Sequence, residues 1–158
     1  MHKADQRMVP KVVPTAPDPP LSDQAIASIC DRYFEVHAYL ASGRGDEEPE
    51  DLVRLSMEID DMGRNDPERL WPIVTVMIDR VPDEATLWFV AAGPLENLVS
   101  WHGPRFLDRL EQRAGSNRLF RYALRGVWGW QRFPRRVRER LYPILSAEDD
   151  PLDLPQRP

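Results

Sequence analysis

One cysteine, Cys30, stands in 158 residues, so no intramolecular disulfide can form. A disulfide-stapled secreted scaffold is thereby excluded, and with no secretory leader pattern at the N-terminus a cytoplasmic location is expected. Lysine is nearly missing: Lys3 and Lys11 apart, all 21 basic residues are arginine. Arginine richness by itself therefore carries little functional weight. The three histidines, His2, His37 and His102, offer no pair at the i, i+4 spacing of a helical metal site, and Cys30 has no cysteine partner. Neither a metal nor another cofactor is expected. No serine sits in a G-x-S-x-G elbow, and Gly43 and Gly45 lack the third glycine and the following lysine of a phosphate cradle. Glu58, Asp60, Asp61 and Asp66 resemble a calcium loop in composition only, since the alternating oxygen ligands and the terminal glutamate are missing. No apolar run approaches the ~20 residues that span a bilayer, so no membrane partner is expected.

What remains is 42% hydrophobic and 30% charged, with 16 prolines. A chain of this size buries roughly 68–70% of the surface it exposes when unfolded, enough for one core without staples. Residues 1–21, which carry Pro10, Pro14, Pro17, Pro19 and Pro20 without helical or strand periodicity, read as a disordered proline-rich arm. Residues 22–146 read as a helical domain, and 147–158 as an acidic, proline-containing tail.

Within the domain, helix signals recur. Ser22 and Asp23 are capping types ahead of Ile26, Ile29, Cys30, Tyr33, Phe34, His37 and Leu40, which repeat three or four apart until Gly43. Leu52, Leu55, Ile59 and Met62 follow, with a stop expected at Gly63. Asp66 caps a helix opened by Pro67, and Asp83 caps the next. Breaks are expected at Gly93-Pro94 and Gly103-Pro104, and Asn117 caps a helix placing Phe120, Leu124, Val127 and Trp128 inward. A last helix after Pro134 turns Val137, Leu141, Ile144 and Leu145 inward. The one strand candidate, IVTVMI at 73–78, lies inside a run capped as a helix. The fold class is all-α: about seven or eight short helices, as a compact bundle or HEAT-like antiparallel pairs.

Charge is unevenly spread behind a net value of -5. Residues 41–70 sum to -6, whereas residues 113–140 hold nine arginines against Glu139 and sum to +8. On the helix at 118–125, Arg118, Arg121, Tyr122 and Arg125 lie opposite the apolar side and are expected to face solvent or a partner.

The stretch FVAAGPLENLVSWHGPRFLDRLE at 89–111, preceded by DPERLWPIVTVMI and followed by LRGVW at 124–128, resembles an uncharacterised bacterial family of all-helical domains. AAGPLE, G..F.DR.E and GVW segments recur in that family. The resemblance covers roughly residues 50–130 and leaves the arm, the first helix and the arginine-rich C-terminal part outside. It implies a small cytoplasmic bacterial domain and brings no catalytic residue or cofactor. Physically, AAGPLE describes a helix-to-helix corner: Gly93 supplies a positive φ, Pro94 opens the next helix, and Glu96 favours its dipole.

Bipolar charge, five tryptophans and no catalytic constellation point to a non-enzymatic protein-binding module, an adaptor, inhibitor or toxin-neutralising partner. Its acidic face would use Glu47, Glu48, Asp51, Glu58 and Asp61, and its basic face Arg118, Arg121, Tyr122, Arg125, Trp130, Arg135 and Arg136. The alternative is nucleic-acid binding through residues 113–140, where aromatics interleave with arginines. A third reading is an enzyme using His102 with Glu96; six residues apart, these do not share a helical face. The deciding structural question is whether the acidic and arginine-rich segments touch.

Overall fold

A computed structural model of the chain describes residues 19–43, 49–148, 152, 154 and 155. Glu47 and Glu48, and the greater part of the expected arm, lie outside the described residues. The fold is all-helical, with no strand among the described residues. Its elements are α1 (Asp23–Ala41), α2 (Glu50–Asn65), α3 (Pro67–Arg80), α4 (Glu84–Val90), a π turn (Ala91–Leu95), α5 (Glu96–Ser116), α6 (Arg118–Arg125), a 3-10 turn (Trp130–Arg132) and α7 (Arg135–Leu145).

The caps named from sequence form as side-chain hydrogen bonds. Ser22 Oγ accepts from the Ala25 N–H at 3.2 Å, Asp66 Oδ1 from Arg69 at 3.2 Å, Asp83 Oδ1 from Thr86 at 2.7 Å and Asn117 Oδ1 from Phe120 at 2.8 Å. Each satisfies one of the donors that the first helical turn leaves orphaned. Gly43, just past α1, takes φ +66°.

Three expected interruptions are absent. α2 passes Gly63 and ends at Asn65. Gly93 is not in the left-handed region, and AAGPLE is no corner: α4, the π turn and α5 run continuously from Glu84 to Ser116. Pro94 has no N–H, and its ring disfavours the ordinary ladder, so the Glu96 N–H reaches back five residues to the Ala91 carbonyl. At Gly103-Pro104 α5 also continues. There the stripe Leu98, Val99, Phe106, Leu107 and Leu110 is buried on both sides of the proline, and its burial outweighs one lost backbone bond, about 3 kcal/mol. Among the described residues the seven α-helices therefore make six separate rods, fewer than the sequence suggests.

Helix α5 packs against α2, α3, α6 and α7, and α3 against α1, α2, α4, α5 and α6, so the bundle closes around these two. Leu70, Ile73, Val74, Met77 and Ile78 of α3 are fully buried. Trp71 meets Phe106 at 5.5 Å and Phe120 at 5.9 Å between ring centroids. Two glycines mark close approaches: a Cβ on Gly63 would lie 3.1 Å from the Trp101 ring, and one on Gly103 would lie 3.4 Å from Val137. Beyond α7, Leu152 and Leu154 pack on the core, and the Pro155 carbonyl accepts the Glu84 N–H at 3.3 Å. Leu40 and Trp128, expected inward, are exposed. Both lie at the ends of their periodic runs.

Cys30 is fully buried, its thiol donating to the Ile73 carbonyl at 3.8 Å. Burial, partly offset by the Arg80 guanidinium, pushes the thiol from 9.0 up to about 11. A folded-state value raised above the unfolded one contributes stability that is intact below pH 9.0 and lost as pH rises towards about 11. Native protein is expected to leave Cys30 unmodified by an aromatic disulfide reagent at neutral pH, with full reaction on unfolding. Rapid labelling without denaturant would show that α1 opens away from α3.

Candidate functional site

Most of the motif residues are spent on the fold. Glu96 of AAGPLE accepts the backbone N–H of Trp128 at 2.9 Å, so the first family word clamps the last, GVW. In the middle word, Glu111 and Asp108 hold Arg140 of α7, while Arg109 and Arg105 hold Glu68 of α3 at 2.6 and 2.9 Å. The guanidiniums beside Glu68 hold its carboxyl below the usual range. His102 Nε2 bonds the Gly63 carbonyl at 2.9 Å, one of the last four carbonyls of α2. Glu96 and His102 thus serve different neighbours, and no reacting pair forms between them. Among the described residues no group of three His, Cys, Asp or Glu side chains is placed to hold a metal.

A polar chain invisible in the sequence joins α1 to α4. Thr86 Oγ1 donates to Asp83 Oδ1 at 2.6 Å and lies 3.1 Å from His37 Nδ1. The hydroxyl has one hydrogen, committed to Asp83, so the His37 Nδ1–H must be the donor. The ring stacks on Phe89 at 4.8 Å. Thr86 is buried, so this chain is a structural tie and not an exposed nucleophile. Residues 37 and 86 are 49 apart, and nothing in local sequence could pair them.

The arginine stripe of α6 does not project freely as expected. Arg121 donates to the Ala114 carbonyl at the end of α5, and Arg125 Nε donates to the Leu145 carbonyl at the end of α7 at 2.8 Å. Both guanidiniums cap helix C-termini, where the dipole favours positive charge. Arg118 is half-buried, and Tyr122 packs on Trp88 at 5.4 Å with the Arg125 guanidinium 5.7 Å from its ring. Trp130 sits edge-on to Phe133 at 5.0 Å. Arg135 pairs with Glu139 at 2.5 Å, and Arg136 is exposed. Arg125→Met is expected to lower stability by about 1 kcal/mol, against less than about 0.5 kcal/mol for Arg138→Met on the open side of α7. Urea unfolding of the two variants separates a capping arginine from a surface one.

The acidic residues are distributed differently. Asp51 pairs with Arg32 of α1 at 3.0 Å, Asp60 accepts from Asn97 at 2.9 Å, and Asp61 accepts from Asn65 at 2.7 Å. Among the described residues no ion pair joins 49–70 to 113–140: Asp51 and Glu68 pair with α1 and α5, Arg113 and Arg140 with α3 and α5, and Arg135 with Glu139 of its own helix. Helix α2 sits against α1, α3 and α5, whereas α7 sits against α5 and α6. The charge separation read from sequence therefore persists in the fold.

Two surface strips stand out. On α2, Met57 is 67% exposed among Arg54, Glu58 and Asp61, between depressions of about 610 and 300 Å³. On α7, Tyr142 is 71% exposed beside Arg135, Arg138 and Glu139, between depressions of about 520 and 350 Å³. The latter reaches Arg125, Trp130 and Leu145. Met57 and Tyr142 were legible in principle as apolar residues outside the inward stripes of their helices. Among the described residues no helix is long and apolar enough to cross a membrane.

No curated protein and no solved structure matches the chain. A family match does exist, and it spans residues 43–148, so it starts ahead of α2 and takes in all of α7. The arginine-rich C-terminal part is inside it, in contrast to the narrower resemblance read from the motifs. With about two thirds of its length matched, the chain belongs to DUF6869, a family of unknown function.

Proposed function

We propose that the protein is a cytoplasmic, non-enzymatic protein-binding module, acting as an adaptor, inhibitor or toxin-neutralising partner. The observation that carries this reading is the pair of oppositely charged strips, each centred on a bare apolar side chain between depressions. An apolar centre inside a polar rim is the anatomy of a protein interface. Charge around it steers the partner and fixes register more than it adds affinity. Nucleic-acid binding has less support, because Arg113, Arg121, Arg125 and Arg140 are engaged on carbonyls or carboxylates. Salt-dependent phosphate binding needs several free cations.

Immobilised wild-type protein, Met57→Glu and Tyr142→Glu are compared for proteins retained from a lysate of the source organism at low salt. The expected result is at least one protein held by the wild type and lost from a variant of unchanged melting temperature. Equal retention on all three would sink the two-strip reading. Tight RNA or single-stranded DNA binding, abolished by Arg136→Glu, would move the conclusion to nucleic acid.

A further inference from the structure

We infer that the strip on α7 of one copy docks antiparallel on the strip on α2 of a second copy. This rests on the protein-binding reading and supplies its partner. The two strips have the same spacing. Arg54, Met57, Glu58 and Asp61 stand at i, i+3, i+4 and i+7, and so do Arg135, Arg138, Glu139 and Tyr142. Each set therefore forms one continuous two-turn face on its helix.

The order of charges selects the register. Laid antiparallel, Asp61 meets Arg135, Glu58 meets Arg138, Met57 meets Glu139, and Arg54 meets the ring of Tyr142, one turn from Glu139. Every charged contact is then attractive, and the arginine over the tyrosine ring adds a cation–π contact. Laid parallel, Arg54 would face Arg135, and Asp61 would face Tyr142. Opposite charges in the first register and like charges in the second give orientation as well as attraction.

Relief agrees with charge. Met57 and Arg54 form a ridge that borders both depressions on α2, and Tyr142 and Arg138 form one that borders both depressions on α7. Docked, the ridge of Arg138 and Tyr142 enters the 610 Å³ depression, with Arg138 beside Glu58 and Tyr142 beside Arg54. Met57 enters the 520 Å³ depression bordered by Arg138, Glu139 and Tyr142, which the register places opposite it, with its thioether against the Tyr142 ring. Ridges seated in grooves are how helices pack within a domain, and the same geometry serves between chains. Among the described residues Glu58 and Arg138 make no ion pair within the chain, whereas Arg135 and Glu139 pair with each other at 2.5 Å, a pair that docking extends to Asp61 and Arg54. The contact joins different surfaces of the two copies, so it closes into a ring or runs on as a chain of copies.

Sedimentation velocity of the full-length protein tests this at rising concentration in low and high salt. Wild type is expected to rise above 18.3 kDa with concentration at low salt and to return towards it at high salt. Glu58→Arg with Asp61→Arg makes both strips basic, and Arg135→Glu with Arg138→Glu makes both acidic. Each double variant alone is expected to associate at least about tenfold more weakly than wild type, by like-charge repulsion. An equimolar mixture of the two restores opposed charges at every contact and is expected to reassemble. All four positions are on the surface, and circular dichroism verifies folding; Met57→Ala and Tyr142→Ala repeat the test without charge reversal. A wild type that stays at 18.3 kDa throughout, or a mixture that does not reassemble, overturns the self-docking. Capture of a different protein through the same strips would then leave the protein-binding reading standing, whereas failure of both experiments removes both.

Discussion

Phe106→Ala is expected to lower the unfolding free energy by about 3–5 kcal/mol, the range for deleting a large aromatic from a packed core. The side chain is 1% exposed, packs against Trp71, and is approached by the Arg109 and Arg105 guanidiniums at 5.0 and 5.8 Å from its ring. Its loss opens a cavity where α3 and α5 meet and removes the surface on which the two arginines lie while they hold Glu68. Against a typical domain stability of roughly 5–15 kcal/mol, such a change leaves a marginal protein. The urea midpoint measures it, and near-ultraviolet circular dichroism should report the loosened Trp71. A loss below about 1 kcal/mol would mean that the centre of the bundle is not packed as described.

The second large effect is expected at Gly126, in GVW. A Cβ there would lie 2.5 Å from Trp88 Cζ3, a separation no real side chain tolerates. The ring cannot simply swing aside, because it packs on Tyr122. Gly126→Val is therefore expected to cost about 1–3 kcal/mol through overpacking and to alter the tryptophan signal of the folded protein. Gly115 is the control: a Cβ there meets nothing within 4 Å, so Gly115→Ala should be neutral or stabilising by up to about 1 kcal/mol. Equal effects at the two positions would show that the glycine in GVW answers to backbone freedom and not to the tryptophan.

Both sites belong to stretches that the fold ties together. AAGPLE, the middle word and GVW lie far apart in sequence, yet Glu96 holds the Trp128 N–H, and Gly126 admits the Trp88 ring. The middle word braces α3 with its arginines and α7 with its carboxylates. Read singly, each word suggests local turn chemistry. Together they are the contacts that lock α5 to its neighbours.

Helix starts were legible because capping is local: an Asp or Asn three residues before the backbone N–H that it accepts from is visible in the text. Helix continuity was not. Gly93-Pro94 and Gly103-Pro104 read as breaks by any local rule, and only burial of the flanking stripe on both sides keeps the rod unbroken. The arginines of α6 failed for a related reason. Position on a helical wheel placed Arg121 and Arg125 outward, but the C-termini of α5 and α7 arrive beside them and take their donors. Arg135 and Arg136, on the exposed side of α7, stayed at the surface as expected.

The sequence by itself determined the helical class, the four side-chain caps and the uneven charge, because these depend on residues a few positions apart. Tertiary structure decided which charges are engaged within the chain and which stay exposed. That outcome depends on where helix ends, carboxylates and close-packed glycines from distant segments meet. Local order specifies the segments, but only their packing leaves Met57 exposed beside Glu58 and Asp61 on α2 and Tyr142 exposed beside Arg135 and Arg138 on α7.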